Sequence, residues 1–390
     1  MYYLSVETSC DETSLTLLRP RAYTGEFVAY LNSFEVVASV VSSQIDVHRE
    51  FGGVVPEIGA REHAQYIHLL FKLLLTKIGQ GTQETVAGAQ VPVVDLDLRE
   101  YRIALESIQK IFVTTSPGLV SALRVGLAFA ESVQYHLPHA PEIVEVNHLH
   151  GHMVSCFYEA ADSMILPDAE VFPHLHLLVS GGNSQIILME TPSRWRIIGA
   201  TLDDAAGESF DKAGRLLGLP YPAGVGISRI AGLTAENIHD LPRGMLKSAD
   251  YNYSFSGLKT AVRYYVEKQE WDLATKLGSD DIAYLIATPV EQISNERFRF
   301  VKEMCISLQF VIVEQLTRKF QAAIAEHRPR SVGLSGGVSA NPLLRRELQK
   351  LHSRVYVPPL YLTGDNATMI GLSGLSYLYS KPKKPKNLPT

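Results

Sequence analysis

The sequence predicts an α/β protein of two similar lobes, each a mixed sheet flanked by helices. Three observations lead there. A strand, a polar turn and a second strand occur at residues 2–18 and again at 174–189. Each hairpin is followed by strand-to-helix units, the pattern of sheets covered by helices. The second hairpin thus reads as an internal repeat of the first.

MYYLSVE is a buried strand that meets the polar turn TSCDETS, and SLTLL completes the first hairpin. FEVVASVVSSQ is a further strand. REHAQYIHLLFKLLLTKIG has Ile67, Leu70, Phe71 and Leu74 at helical spacing. GQGTQETVAGAQ, rich in Gly, Gln and Thr, reads as a surface insertion. KIFVTTSPGLVSALRVGLAFAES is strand, Pro-Gly turn, helix, and EIVEVNHLHGHMVSCF repeats that order. HLHLLVSGGNSQIILME is the second hairpin, and RSVGLSGGVSANPLLRRELQ is strand, glycine turn, helix. Ligands in such sheets bind in the crevice beyond the strand ends. Two hairpin turns facing each other there would suit a nucleotide phosphate chain.

Composition narrows the class. The chain has 390 residues, enough for two domains, with 46% hydrophobic and 20% charged residues. The formal net charge of −5 does not suggest a general nucleic-acid binder. Lys381, Lys383, Lys384 and Lys386 form a local basic patch, expected to be a solvated tail over 381–390. Cys10, Cys156 and Cys305 are widely spaced, without a disulfide framework or a cysteine-based zinc motif. The opening residues lack the features of a signal peptide. No uncharged apolar run reaches ~18 residues. A soluble, cytoplasmic protein is expected.

Several segments could carry chemistry. VNHLHGHMVS holds His148, His150 and His152. On a helix His148 and His152 share a face, with Cβ atoms about 5–6 Å apart. Both imidazoles can then bind one divalent cation at ~2.0–2.1 Å. His150 points to the far side. Two histidines make an incomplete site that a carboxylate usually completes, and solvent-facing or capping histidines are the alternative. Leu149 follows His148 where a zinc peptidase has its catalytic glutamate, which counts against a peptidase.

The turns VSGGNS (179–184) and SGGVSAN (335–341) follow strands, and their glycines let backbone N–H groups approach an anion. Neither fits the Gly-x-x-x-x-Gly-Lys-Ser/Thr pattern of a P-loop. Asp211 lies on an expected helix beside Lys212. It reads either as a surface ion-pair member or as an acceptor for ribose hydroxyls. Gly224 could let the chain pass flat beside a base or sugar. Asp365 precedes an expected helix and reads either as its N-cap or as a third metal ligand.

Taken together, these segments resemble the TsaD/Gcp family of tRNA N6-adenosine threonylcarbamoyltransferases. The matching stretches are ETSCDET, HREFGGVVPEIGAREH, SPGLVSALRVG, NHLHGHMVS, LLVSGGNSQ, DDAAGESFDKAGRLLGLPYP, SFSGLKTA, LSGGVSANPLLR and GDNATMIG. They run in the family's order from residue 7 to about 371.

The resemblance implies a two-lobed actin-like (ASKHA) fold with a nucleotide cleft between the lobes. The lobes are expected at 1–147 plus about 364–380 and at about 148–363. It implies transfer of the threonylcarbamoyl group of threonylcarbamoyl-AMP to N6 of adenosine 37 in tRNAs reading codons that begin with A. By resemblance the metal ligands are His148, His152 and Asp365, and the substrate-binding residues are Leu178, Val179, Ser180, Gly181, Gly182, Asp211, Gly224 and Asn341. Fe(2+) is the expected ion, with Zn(2+) as the alternative. Asp11 and Glu12 in the first hairpin turn are candidate catalytic residues. Bacterial relatives work with a TsaB-like paralogue and a TsaE-like ATPase.

The chain departs from its relatives at several points. His150 stands where the family has Glu, Asn183 where bacterial members have His, and Ala223 where Gly is usual. Insertions are expected near 20–31, 80–102 and 286–300. Other readings are a metal-dependent carbamoyltransferase acting on a small molecule, an ATP-using enzyme such as a sugar kinase, and a non-catalytic scaffold of the tRNA-modification complex.

Overall fold

The computed structural model describes residues 1–20, 34–78, 83–87, 105–158, 168–269 and 276–380. The tail at 381–390 lies outside them, as does most of the expected insertions near 20–31 and 80–102. Two mixed sheets organise the described chain.

The first sheet contains β1 (Tyr2–Glu7), β2 (Glu12–Pro20), β3 (Phe34–Ser43), β4 (Gln83–Ala87), β5 (Ile108–Ser116) and β6 (Glu142–Asn147) in the order β4-β3-β2-β1-β5-β6. The second contains β7 (His174–Val179), β8 (Ser184–Thr191), β9 (Arg194–Ala200), β10 (Ser331–Ser335) and β11 (Val355–Tyr356) in the order β11-β10-β7-β8-β9.

The two share one plan. β1 and β2 form an antiparallel hairpin with Tyr3 opposite Leu18, and β7 and β8 form another with His174 opposite Met189. A third antiparallel strand, β3 or β9, joins each hairpin. On the other side β1 pairs in parallel with β5, and β7 with β10. This repetition is the two-lobed actin-like architecture expected from the sequence. Every residue of β7 and β10 is buried, which suits short apolar strands covered on both faces.

The helices begin where their caps dictate. α1 (Ile45–Arg49) is short, and α2 (Pro56–Thr76) opens on Pro56, whose fixed φ suits a first turn. α2 lays Ile67, Leu70, Phe71 and Leu74 on the first sheet, with α3 (Val120–His136) beside it. α4 (His148–Ser155) starts directly after β6, and its Asn147 side chain accepts from the His150 N–H at 3.1 Å. α5 (Asp168–Val171) is one short turn. α6 (Ala206–Leu216), α7 (Ala223–Ala231), α8 (Ser256–Glu267), α9 (Ser279–Ala287) and α10 (Glu296–His327) pack on the second sheet, followed by α11 (Pro342–Gln349) and α12 (Ala367–Ser380). The expected insertion near 286–300 is the end of α9, a 3-10 turn at Val290–Gln292 and the start of α10.

A separate core joins the sheets. Leu149 and Met153 of α4 and Met369, Ile370 and Leu372 of α12 pack with Phe112 and Val146 of the first sheet and Ile187 and Met189 of the second. α4 and α12 therefore lie between the two halves. No helix among the described residues is long and apolar enough to cross a membrane.

Candidate active site and metal centre

The strand ends converge on a cavity of about 340 Å³. The turn after β1 contributes Ser9, Cys10, Asp11 and Glu12, and the loop after β5 contributes Pro117 to Leu119. Ser180 to Asn183 face them from the β7–β8 turn, joined by Gly337 after β10 and by Gly364 and Asp365 before α12. The two hairpin turns therefore face each other, as the sequence predicts. At Gly181, Gly182, Gly337 and Gly364 an added Cβ would meet nothing within 4 Å, so these backbones border open space. Gly336 shapes the second turn, at φ +86 and with Val179 O 2.4 Å from where its Cβ would be. No other residue tolerates both.

On one wall, α4 brings His148 and His152 onto the same face, with ring centroids 4.7 Å apart. Asp365 Oδ1 lies 3.1 Å from His152 Nε2 and 3.5 Å from His148 Nε2. One donor atom from each of the three residues falls within 4.8 Å of the others. The competing role for Asp365 is taken by its neighbour. Asn366, not Asp365, caps α12, its Oδ1 accepting from the Met369 N–H at 2.9 Å.

Glu7 supports this group and is not evident from the residue pattern. At the end of β1 it is fully buried. Its Oε1 accepts from the Ser9 N–H and its Oε2 from the Thr114 hydroxyl at 2.6 Å. Oε2 also lies 3.3 Å from His148 Nδ1. A signal was available, since an acid inside an apolar strand needs a buried partner.

The electrostatics follow from these distances. Burial opposes charge on His148, but Asp365 and Glu7 outweigh it and raise the imidazole to about 9. Burial works against ionisation of Asp365, yet His148 and His152 bring it down to about 2. Glu7 is likewise held low by His148 against the effect of burial. The buried Glu7 and the partly exposed Asp365 carboxylates thus create a strong demand for positive charge at the imidazoles. With Glu7 holding Nδ1 of His148, Nε2 is turned toward Asp365, the outer-shell arrangement typical of metal-binding histidines. Two imidazole nitrogens and a carboxylate form a donor set that fits a divalent transition metal.

His150 points elsewhere. Its Nδ1 lies 2.7 Å from Ser373 Oγ and its Nε2 2.9 Å from the Pro192 carbonyl, and its ring stacks on Tyr377. Burial pushes it down to about 4. It is a neutral, hydrogen-bonded core residue.

Asp11 and Glu12 border the cavity. Burial, then Asp11 and Asp365, push the Glu12 carboxyl well up. His63 of α2 steadies this turn through Thr13 Oγ1 at 2.7 Å and the Cys10 carbonyl at 3.0 Å.

The remaining expected substrate residues divide. Ser180 Oγ accepts from the Asn183 N–H, which leaves the Gly181 and Gly182 backbone at the rim. Leu178 and Val179 send their side chains into separate cores. Asp211 Oδ1 accepts from Ala223 and Gly224 N–H at 2.7 and 3.2 Å, so it holds the start of α7. Burial raises the Asp211 carboxyl, and Asp11 adds to the rise, so it stands near the cleft without lining the cavity. Asn341 has a structural task. It accepts from Leu344 N–H at 3.0 Å, and its amide donates to Ser228 and to Gln309 at 3.2 and 2.8 Å.

Comparison with known proteins agrees with this geometry. The family model described as TsaD, tRNA N6-adenosine threonylcarbamoyltransferase, matches residues 35–92 and 87–372. The chain belongs to the TsaD family. The enzyme of that name from Thermosipho africanus is 36% identical over 385 residues, covering 98% of this chain and 95% of its own. That of Fervidobacterium nodosum is 34% identical over 97% of this chain and 94% of its own. That of Syntrophomonas wolfei is 33% identical over 99% and 95%. As a TsaD-family member the chain is a transferase that places a threonylcarbamoyl group on N6 of adenosine in tRNA.

Proposed function

We propose that the donor is threonylcarbamoyl-AMP and that the acceptor is adenosine 37 of tRNAs reading codons that begin with A. The reaction takes place in the cytoplasm, with a TsaB-like paralogue and a TsaE-like ATPase as partners. The observation that carries this reading is one cavity lined both by Gly181, Gly182, Gly337 and Gly364, whose backbones border open space, and by His148 and Asp365 of the three-residue donor group.

These three residues would hold Fe(2+), with Zn(2+) as the alternative. Bound there, a divalent ion supplies Lewis acidity toward the donor's carbonyl or phosphate. Glu7 fixes the orientation of His148. The Ser180-Gly181-Gly182 backbone receives the donor's phosphate, and helix α7, held by Asp211, borders its nucleoside. The adenine N6 nitrogen attacks the carbamoyl carbon, the carbon–oxygen bond to phosphate breaks, and AMP leaves. Asp11 accepts the proton released by N6, while Glu12 keeps its own and donates a hydrogen bond. Because AMP is a good leaving group, positioning and charge stabilisation carry the step without a covalent enzyme intermediate.

The test is incubation with threonylcarbamoyl-AMP and a tRNA unmodified at adenosine 37, with and without partners, followed by nucleoside analysis. Threonylcarbamoyladenosine is expected, and its absence under every combination overturns the reading. His148→Ala should abolish both transfer and metal retention.

A further inference from the structure

The face of α4 that carries His148 and His152 continues one turn on to Cys156. There it meets a second convergence of donor atoms. His174 and His176 are two apart on β7 and so point to one side of the sheet. Cys156 Sγ lies 3.8 Å from His176 Nδ1, and His174 Nε2 lies 3.3 Å from the same nitrogen. All three donor atoms are within 4.8 Å of one another. The two histidines are fully buried and Cys156 nearly so.

The neighbouring strand β10 is shaped around this pair. Ser331, Gly333 and Ser335 alternate along it, with Ser331 beside His174 and Gly333 beside His176. His174 Nδ1 lies 2.7 Å from Ser331 Oγ, and His176 Nε2 lies 2.7 Å from Ser335 Oγ. The Ser331 hydroxyl donates to the Val171 carbonyl, so it accepts from His174 Nδ1–H and leaves His174 Nε2 as an acceptor, facing His176 Nδ1 at 3.3 Å. Burial keeps both rings neutral and takes His176 down to about 3. Between the serines, a Cβ at 333 would stand 2.5 Å from His174 Nε2 and 2.6 Å from His176 Nδ1, so glycine preserves the space. Outer nitrogens anchored on hydroxyls and inner nitrogens turned toward a thiol form the pattern of metal-binding imidazoles. Two nitrogens bound at ~2.0–2.1 Å to one ion are ~3.3–3.6 Å apart over the range from tetrahedral to trigonal angles, and the two here are 3.3 Å apart.

We propose that Cys156, His174 and His176 form a second, closed metal site that takes a soft monovalent cation, Cu(I). Three observations favour this ion. The group has three donors and no fourth His, Cys, Asp or Glu among the described residues, whereas structural zinc almost always takes four. Thiolate is a soft ligand that selects Cu(I). One thiolate also cancels the charge of one Cu(I), so the filled site is neutral where net charge is costly, while a divalent ion would leave one positive charge uncompensated. Binding exchanges the Cys156 thiol proton, released to solvent, for the cation, with no change of oxidation state.

The test is anaerobic titration of the full-length protein with Cu(I) buffered by a chromogenic Cu(I) chelator. One equivalent should bind with a thiolate-to-copper absorption band that survives Asp365→Asn, which disrupts only the cleft group. Cys156→Ser should lose the band and weaken binding by more than the ~10–100-fold that follows loss of an outer-shell partner. No band in the parent protein, an equal band in Cys156→Ser, or displacement by equimolar Zn(II) overturns the proposal. If Cys156→Ser does not fold, X-ray absorption at the copper edge of the parent protein decides. One sulfur and two nitrogen neighbours support the site, and a shell without sulfur overturns it.

Discussion

Glu7 Oε2 lies 3.3 Å from His148 Nδ1, and both groups are buried at the root of the cleft. This contact orients an imidazole whose other nitrogen faces Asp365 at 3.5 Å. Glu7→Gln keeps the shape but removes the charge. Metal affinity should fall about 10–100-fold, the usual cost of losing an outer-shell partner. Titration with a metal-buffered chelator measures it, and unchanged affinity would deny Glu7 that role.

The cradle makes a separate prediction. An added side chain at Gly181 has space, since its Cβ would meet nothing within 4 Å. Gly181→Asp should therefore fold with stability within about 0.5 kcal/mol of the parent. Its carboxylate would oppose a phosphate, so KM for the donor should rise at least tenfold. Steady-state kinetics at several donor concentrations separate this from a loss of kcat.

Asn341 is expected to act on stability. Asn341→Ala removes the cap of α11 and two hydrogen bonds donated by its side-chain amide, one buried and one partly buried. Loss of a cap alone costs about 0.5–2 kcal/mol. Urea denaturation should show at least that, whereas Asn341→Asp, which keeps the acceptor for Leu344 N–H, should recover part of it.

His150 gives the fold an acid-sensitive point. Its pKa lies at about 4 in the folded chain against an ordinary 6.5. The unfolded chain then binds more protons between these values, so stability is full above 6.5 and is lost as pH falls toward 4. At pH 5 the loss from this residue is about 2 kcal/mol. His150→Gln should shrink the difference in unfolding free energy between pH 7 and pH 5 by about that amount.

Where the sequence is legible, the reason is local. The hairpins β1–β2 and β7–β8 are visible because apolar strands meet short polar turns. The α4 histidines are visible because a spacing of four defines a helix face. What is hidden depends on tertiary context. β4 pairs in parallel with β3 through a segment whose composition resembles a loop. Glu7 looks like the end of a strand until Thr114, from a strand more than a hundred residues away, supplies its hydroxyl. Asp365 is left free only because Asn366 takes the cap. Asn341 is committed to Ser228 and Gln309, partners that no nearby sequence reveals.

α4 and α12 share the core between the two sheets. Both histidines of the cleft group lie on α4, and Asp365 immediately precedes α12. The group thus stands at the junction of the two sheets. Away from that core, Arg49 Nε of α1 reaches the Tyr221 carbonyl just before α7 at 3.2 Å. Helices α4 and α12 therefore set both the spacing of the sheets and the spacing of the three donor side chains.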